Sequence, residues 1–241
     1  NMKLEKSNNE VLRLNDQLSH FAYRLTHDLK TPIRGINSLT DFLKEDHINL
    51  FKNTEAEKWI DLISSRAVYM DSLIEEILEY TKVTNANIDF VTFNIQELVD
   101  KIIKNGDFHS SCKLNTASLN CEIVHSKIGF IQVFQNLLTN SIKFNDKEIC
   151  EVTISFKEEK GFYNFVYQDN GPGIPKRFRE KVFVMFETLD ENNSQNTGIG
   201  LATVKSIIER LEGEIYLKDN PKQEGVYFKF KIPVQISSKE N

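Results

Sequence analysis

"KIGFIQVFQNLLTNSIKFN" (127–145) places Asn136, Asn140 and Lys143 at i, i+4 and i+7 of an otherwise apolar helical pattern. Those positions share one helix face. Asparagine is a poor mid-helix residue because its amide competes for backbone hydrogen bonds, so a purely structural helix gains nothing from two of them and a lysine in a row. An amide carbonyl suits a hard cation that keeps phosphate oxygens and water in its shell, and a lysine one turn on offsets phosphate charge. The face reads as one half of a phosphate-binding site.

Two glycine-rich turns read as the other half. "QDNGPGIP" (168–175) follows directly on a strand, with Asp169 at the strand end. Gly171 and Gly173 let the backbone turn tightly and approach a flat ligand, although Asp-Asn-Gly alone is ordinary turn chemistry. "NTGIGLATVK" (196–205) opens a helix and offers unpaired N–H groups and a positive helix end to an anion. Between them, Val182, Phe183, Met185 and Phe186 form an apolar cluster followed by an Asn-rich stretch, the pattern of an anchor and a mobile lid.

The surrounding texture is α/β. "ICEVTISF" (149–156) and "FYNFVYQD" (162–169) read as a hairpin, and "GEIYLKD" and "GVYFKFKIP" as a second one. "FNIQELVDKIIKN" (93–105), 127–145 and 200–212 read as helices. A mixed sheet with helices on one face makes an α/β sandwich.

The first third is different. Leu4, Val11, Leu14, Leu18, Phe21 and Leu25 sit on heptad-compatible spacings, a coiled-coil lead-in to a dimeric helix. The stripe continues through Leu29, Ile33, Ile36, Leu39 and Leu43, with a stutter around 25–33 that relaxes the supercoil where "THDLKTP" places His27. Pro32 removes one helical hydrogen bond in the next turn, predicting a bend and a hinge beneath the histidine. Thr54 and Glu57 read as a capping box for a second amphipathic helix carrying Trp59, Ile63, Met70, Leu73, Ile77 and Tyr80. Two copies of such a hairpin would form a four-helix bundle. The fold class expected is therefore α+β multidomain. A lead-in at 1–20, a helical hairpin at 21–84 and a linker at 85–90 precede the sandwich at 91–236, which ends in a tail at 237–241.

Composition excludes several alternatives. With 40% hydrophobic and 27% charged residues the chain has material for a proper core, and its net charge of −5 argues against sequence-independent nucleic-acid binding. Three isolated cysteines without a CxxC pair argue against a zinc site or disulfide framework and for a reducing, cytoplasmic setting. No run of about eighteen apolar residues reads as a membrane span. The start inside a heptad pattern suggests a piece of something longer, with an upstream sensor absent from this chain.

These motifs, in this order, resemble the core of sensor histidine kinases of two-component signalling. "THDLKTP" resembles the phosphoacceptor box, "NLLTNSIKF" the asparagine box, "DNGPGI" and "TGIGLATVK" the two glycine boxes, and "FVMF" the phenylalanine box. The resemblance implies a dimerisation and phosphotransfer hairpin followed by a Bergerat-type ATP-binding domain. Its partners would be ATP, Mg²⁺, a second copy of the chain and a response regulator receiver domain. By position, His27 would be the phosphorylated nucleophile, Asp28 the group that orients or deprotonates it, and Thr31 a positioner of water in a phosphatase mode. Asn140 would hold Mg²⁺ with Asn136 in support, Lys143 would contact phosphate, and Asp169 would read the adenine amino group. Phe144, Gly171, Gly173, Ile174, Phe186, Thr197, Gly198, Ile199, Gly200 and Leu201 would complete the nucleotide contacts. The family often has glycine where Asn196 stands and a basic residue where Thr188 stands, which makes this chain a subtype.

The residues of the acceptor turn agree. A neutral imidazole is nucleophilic near pH 7. Asp28 can hold the Nδ1 proton while Nε2 attacks, and Thr31 lies one turn on along the same face. His20, His47, His109 and His125 carry no such surroundings and read as ordinary histidines. Two alternatives remain at this point. A hydrolytic ATPase of the same superfamily would place a glutamate near Asn136, where an amide cannot act as a base. A non-catalytic dimeric nucleotide-binding module would signal by conformation alone.

Overall fold

The computed structural model describes residues 25–26, 28–46, 48–85, 88–106, 112–116, 118–189, 196–221 and 224–234. The coiled-coil lead-in, His27 and the tail lie outside them. The chain divides into two compact units, residues 1–86 with 188–199, and residues 87–187 with 200–241.

In the first unit, α1 (residues 25–46, residue 27 apart) is followed by a short α2 (Ile48–Phe51) and by α3 (Glu55–Asn85). The helical assignment of α1 runs through Pro32 without a break. The cap of α3 is rearranged relative to the expected box. Thr54 Oγ1 donates to the Phe51 carbonyl, and the Glu57 carboxylate accepts from Asn53 N at 2.7 Å rather than from Thr54. Asn53, at φ 62°, turns its N–H toward that carboxylate. Ile33, Ala67 and Ile74 are the buried apolar contacts of the hairpin, and Lys30–Glu75 (2.5 Å) and Lys44–Asp61 (2.8 Å) join the two helices across its flank. Much of the apolar stripe stays exposed, including Leu29, Ile36, Leu39 and Leu43 on α1 and Trp59, Leu62, Ile63 and Met70 on α3.

The second unit contains β1 (Phe90–Asn94), α4 (Ile95–Asn105), β2 (Cys112–Asn115), β3 (Glu122–Ser126), α5 (Lys127–Lys143), β4 (Cys150–Glu159), β5 (Phe162–Asp169), α6 (Gly200–Arg210), β6 (Glu214–Leu217) and β7 (Tyr227–Pro233). Its main sheet has the order β2-β4-β5-β7-β6; β2 pairs parallel to β4 and the other pairings are antiparallel, while β1 and β3 form a separate ribbon. Both expected hairpins are present. In the first, Lys160 (φ 55°) and Gly161 (φ 76°) make the two-residue connection that matches strand twist. The segment expected as one helix from 93 begins at Ile95, because Asn94 ends β1 and caps α4 by accepting from Glu97 N. β1, β2 and β3 were not legible, each being only four or five residues long and none forming a hairpin with the next strand in sequence.

Strict alternation on β5 turns Tyr163, Phe165, Tyr167 and Asp169 inward. Phe165 stacks on Phe230 of β7 with centroids 4.8 Å apart, and Phe130 and Phe134 of α5 meet it at 5.4 and 6.0 Å. These aromatic contacts seat α5 on the sheet and fix which helix face looks away from the core.

His125 departs from its sequence reading, since it is fully buried. It packs against Phe90, Phe130 and Tyr163, its Nδ1 accepts from Ser126 N, and among the described residues Nε2 has no hydrogen bond of ordinary geometry. Burial pushes its pKa down to about 4, opposed by the nearby Pro233 backbone. The folded state therefore keeps a neutral imidazole where the unfolded chain takes up a proton. Stability is expected to be lost as pH falls from about 6.5 toward 4, by roughly 3 kcal/mol at most. Urea unfolding of wild type and His125→Phe across that interval checks this, because the variant should lack that part of the pH slope.

A nucleotide-type site on an asparagine-lined helix

Leu137, Leu138, Val133 and Phe134 bury one face of α5, which leaves Asn136 and Asn140 half-buried on the other and Lys143 and Phe144 exposed at its end. The Asn136 amide donates to the Gln132 carbonyl at 2.9 Å, leaving its Oδ1 directed elsewhere. That oxygen meets the start of α6. A Cβ added to Gly200 would lie 3.0 Å from Asn136 Oδ1 and 3.7 Å from Asn140 Nδ2. Glycine at 200 lets the N-terminus of α6 approach the asparagine face, so helix N–H groups and amide oxygens border one space. Leu201 is half-buried beside it. The oxygen donors of this face are of the kind that suits Mg²⁺.

Asp169 is the last inward residue of β5, so alternation delivers a carboxylate to the end of the core. It is buried, and its hydrogen bonds are specific. Oδ1 accepts from Gly171 N (3.1 Å) and Val226 N (2.8 Å), and Oδ2 accepts from Ser141 Oγ at 2.6 Å. With its proton committed to the carboxylate, Ser141 accepts from the Tyr167 hydroxyl at 2.9 Å. Complete burial pushes the Tyr167 phenol well above its ordinary range, so it stays a neutral donor.

Two glycines close the turn beneath. Gly225 has φ 69°, and a Cβ there would fall 1.9 Å from the Asp169 carbonyl oxygen. Gly173 has φ 74° and packs on the Gly225 carbonyl. Asn170 is clamped as well, accepting from Asn145 Nδ2 (2.9 Å) and Glu151 N (2.8 Å). Ser141, Gly225 and Val226 were missed in the sequence. Ser141 was hidden inside the asparagine motif, and Gly225 and Val226 come from the far hairpin, which no local spacing connects to Asp169.

The sequence-derived candidates are brought together unevenly. Asn136, Asn140, Lys143, Phe144, Asp169, Gly171, Gly173, Ile174, Gly200 and Leu201 belong to the second unit. Phe186 belongs there too, but it is exposed at φ 67°. The anchor of the segment is instead Val182, which is buried, with Phe183 against Phe228 at 6.1 Å. Thr197, Gly198 and Ile199 group with the helical hairpin, where Thr197 Oγ1 donates to Glu76 of α3. Asp28 and Thr31, one and four positions after His27 in the sequence, are exposed on α1.

Taken together, a helical hairpin and an α/β sandwich with a buried aspartate and an asparagine-lined helix define a nucleotide-binding signalling core. Residues 17–86 match the His Kinase A (phospho-acceptor) domain, and residues 125–236 match the histidine kinase-, DNA gyrase B- and HSP90-like ATPase family. The phytochrome-like protein Cph1 of Synechocystis is 33% identical over 226 residues, covering 92% of this chain and 30% of that protein. The heme sensor protein HssS of Staphylococcus saprophyticus is 29% identical, covering 98% of this chain and 51% of that protein. Among solved structures, full-length ShkA in complex with AMPPNP aligns with a TM-score of 0.64 at 19% identity, over 89% of this chain and 45% of that one. Histidine kinase ThkA in complex with the response regulator TrrA aligns at 0.62 and 24% identity, over 97% and 66%. The chain belongs to the two-component histidine kinases, as a catalytic core. It spans 30% of the length of the phytochrome relative.

Proposed function

We propose that this chain transfers the γ-phosphoryl group of Mg·ATP to His27 and then to an aspartate of a response regulator receiver domain, acting as a homodimer. The observation that carries the nucleotide half is the adjacency of Asn140 and Ser141. One residue faces the α6 N-terminus, and the next holds the carboxylate of Asp169. A purine amino group at Asp169 thus directs its phosphates along α5 toward Asn136, Asn140 and Lys143. Asn140 would hold Mg²⁺ with Asn136 in support, and the ion would supply neutralisation of charge on the leaving phosphate.

His27 Nε2 attacks the γ-phosphorus, the bond to the β,γ-bridging oxygen breaks, and ADP departs. Asp28 keeps the Nδ1 proton and stabilises the imidazolium that forms. In the second step the N–P bond breaks as a receiver carboxylate takes the phosphoryl group. Thr31, exposed on the same face of α1, positions water when the reaction runs as a phosphatase. Thr197, Gly198 and Ile199 are assigned to the nucleotide by their glycine-box motif, as Ile174, Phe144 and Phe186 are by theirs. The exposed apolar stripes of α1 and α3 support a second copy of the hairpin as their cover.

Incubation with γ-labelled ATP and Mg²⁺ tests this reading. Acid-labile, base-stable label on the protein supports it. Rapid phosphate release without label favours a hydrolytic ATPase, and neither result favours a non-catalytic module. Asn140→Asp and Lys143→Ala should each weaken Mg·ATP binding by about tenfold with the dimer intact, a loss of roughly 1.4 kcal/mol by calorimetry. Unchanged affinity in both would remove these residues from the site. Pro32→Ala should stiffen α1 and change the ratio of autophosphorylation to regulator dephosphorylation, and identical ratios would refute the hinge.

A further inference from the structure

Two of the three cysteines are brought together by the sheet. β2 and β4 run parallel with Cys112 directly opposite Cys150. Neighbouring strands lie about 4.8 Å apart, and disulfides span Cα separations of about 4.4–6.8 Å. Both side chains are buried on one face and their thiols hydrogen-bond to each other. The pair lies beside Asp169, since Val152, two residues beyond Cys150 on the same face of β4, is the register partner of Asp169. Asn145 links the two places. Its side chain hydrogen-bonds Cys150 and also donates to Asn170, the residue after Asp169.

We propose that Cys112 and Cys150 form a dithiol site that closes to a disulfide by exchange with a small-molecule disulfide, and that closure weakens nucleotide binding. The second half rests on the reading of Asp169 as the purine-recognising carboxylate. In the first step the Cys112 thiolate attacks the small disulfide, forming a mixed disulfide and expelling one thiolate. Cys150 then gives up its proton and attacks Cys112 Sγ, expelling the second. Two electrons pass from the protein sulfurs to the small disulfide, which leaves as two thiols. Burial raises both thiols, but at Cys112 the Cys150 thiol donates and offsets part of that rise, whereas burial and the neighbouring Cys112 push Cys150 up to about 12, so Cys112 is the better first nucleophile of the two. Exchange is therefore slow at neutral pH and accelerates with alkalinity. Access comes from the position of β2, which among the described residues is the edge strand of the sheet, and edge strands open before central ones. Closure brings the two Cβ atoms to about 3.8 Å, nearer than the strand spacing. It withdraws the Cys150 sulfur from Asn145 and so loosens the clamp on Asn170 and the turn after Asp169.

The test uses a Cys121→Ser background, which leaves only this pair. After incubation with glutathione disulfide, peptide mapping should find a Cys112–Cys150 link and a mass lower by two hydrogens, reversed by dithiothreitol. The Kd for ATP should rise about tenfold in the linked form and return on reduction. A further Cys112→Ser change should leave affinity insensitive to glutathione disulfide. Persistent free thiols, or glutathione adducts alone, overturn the dithiol site. A link with unchanged ATP affinity overturns the coupling. If the reduced protein binds no ATP, the Asp169 reading fails and the coupling with it, while mapping still decides whether the link forms.

Discussion

His27→Gln should carry no phosphoryl label after incubation with γ-labelled Mg·ATP, while its ATP affinity stays at the wild-type value. The loss is complete rather than graded because glutamine has no lone pair on nitrogen free to form the N–P bond, and nothing else on this turn replaces it. Asp28 is an oxygen nucleophile that would give a base-labile acyl phosphate, and Thr31 would give a stable ester. The chemistry of residual label therefore discriminates. Acid-labile, base-stable label persisting in the variant would move the acceptor to another histidine. Retained ATP affinity is the second half of the expectation, because every residue assigned to the nucleotide lies elsewhere in the chain.

Asp169→Asn should fold and lose ATP affinity by about 100-fold, an effect of roughly 3 kcal/mol. The argument follows from which oxygen does what. Among the described residues, Oδ1 already accepts from Gly171 N and Val226 N, while Oδ2 accepts from Ser141 alone. Oδ2 is therefore the oxygen with capacity for a purine amino group. In the amide, Oδ1 keeps both backbone partners and Ser141 turns to accept from Nδ2, so the turn survives. The nucleotide's amino group then meets a donor in place of an acceptor. Flipping the amide restores an acceptor there but sets NH₂ against two backbone N–H groups. Asp169→Ala goes further, leaving two buried donors (Ser141 and Gly171) unpaired at about 1–3 kcal/mol each and the half-buried Val226 N–H without its acceptor, and should fail in urea unfolding as well as in binding. Full affinity in Asp169→Asn with normal unfolding would sink the purine assignment.

Much of the architecture was legible because it is written in periodicity. The alternation of "FYNFVYQD" placed β5 and sent Asp169 inward, and the i, i+4, i+7 spacing put Asn136, Asn140 and Lys143 on one face of α5. The short strands β1, β2 and β3 were not legible because, unlike the equally short β6 beside β7, they pair with partners far away in sequence and no local turn marks them. His125 shows the same limit. Nothing in "IVHS" separates an exposed imidazole from one enclosed by Phe90, Phe130 and Tyr163. Phe186 is a further case, an aromatic read as part of an anchor that is exposed at positive φ while Val182 and Phe183 anchor the segment.

By itself the amino-acid sequence determined the class of fold, the order of its parts and the residue types able to do the chemistry, because helix and strand periods and motif spacings are local quantities. Tertiary structure alone decided which distant groups meet. It set Ser141 and Val226 on the two oxygens of Asp169, placed Gly200 against Asn136, and brought Cys112 opposite Cys150. Those meetings depend on sheet register and on the packing of α5 and α6. Both are fixed only when side chains far apart in the chain are buried against one another.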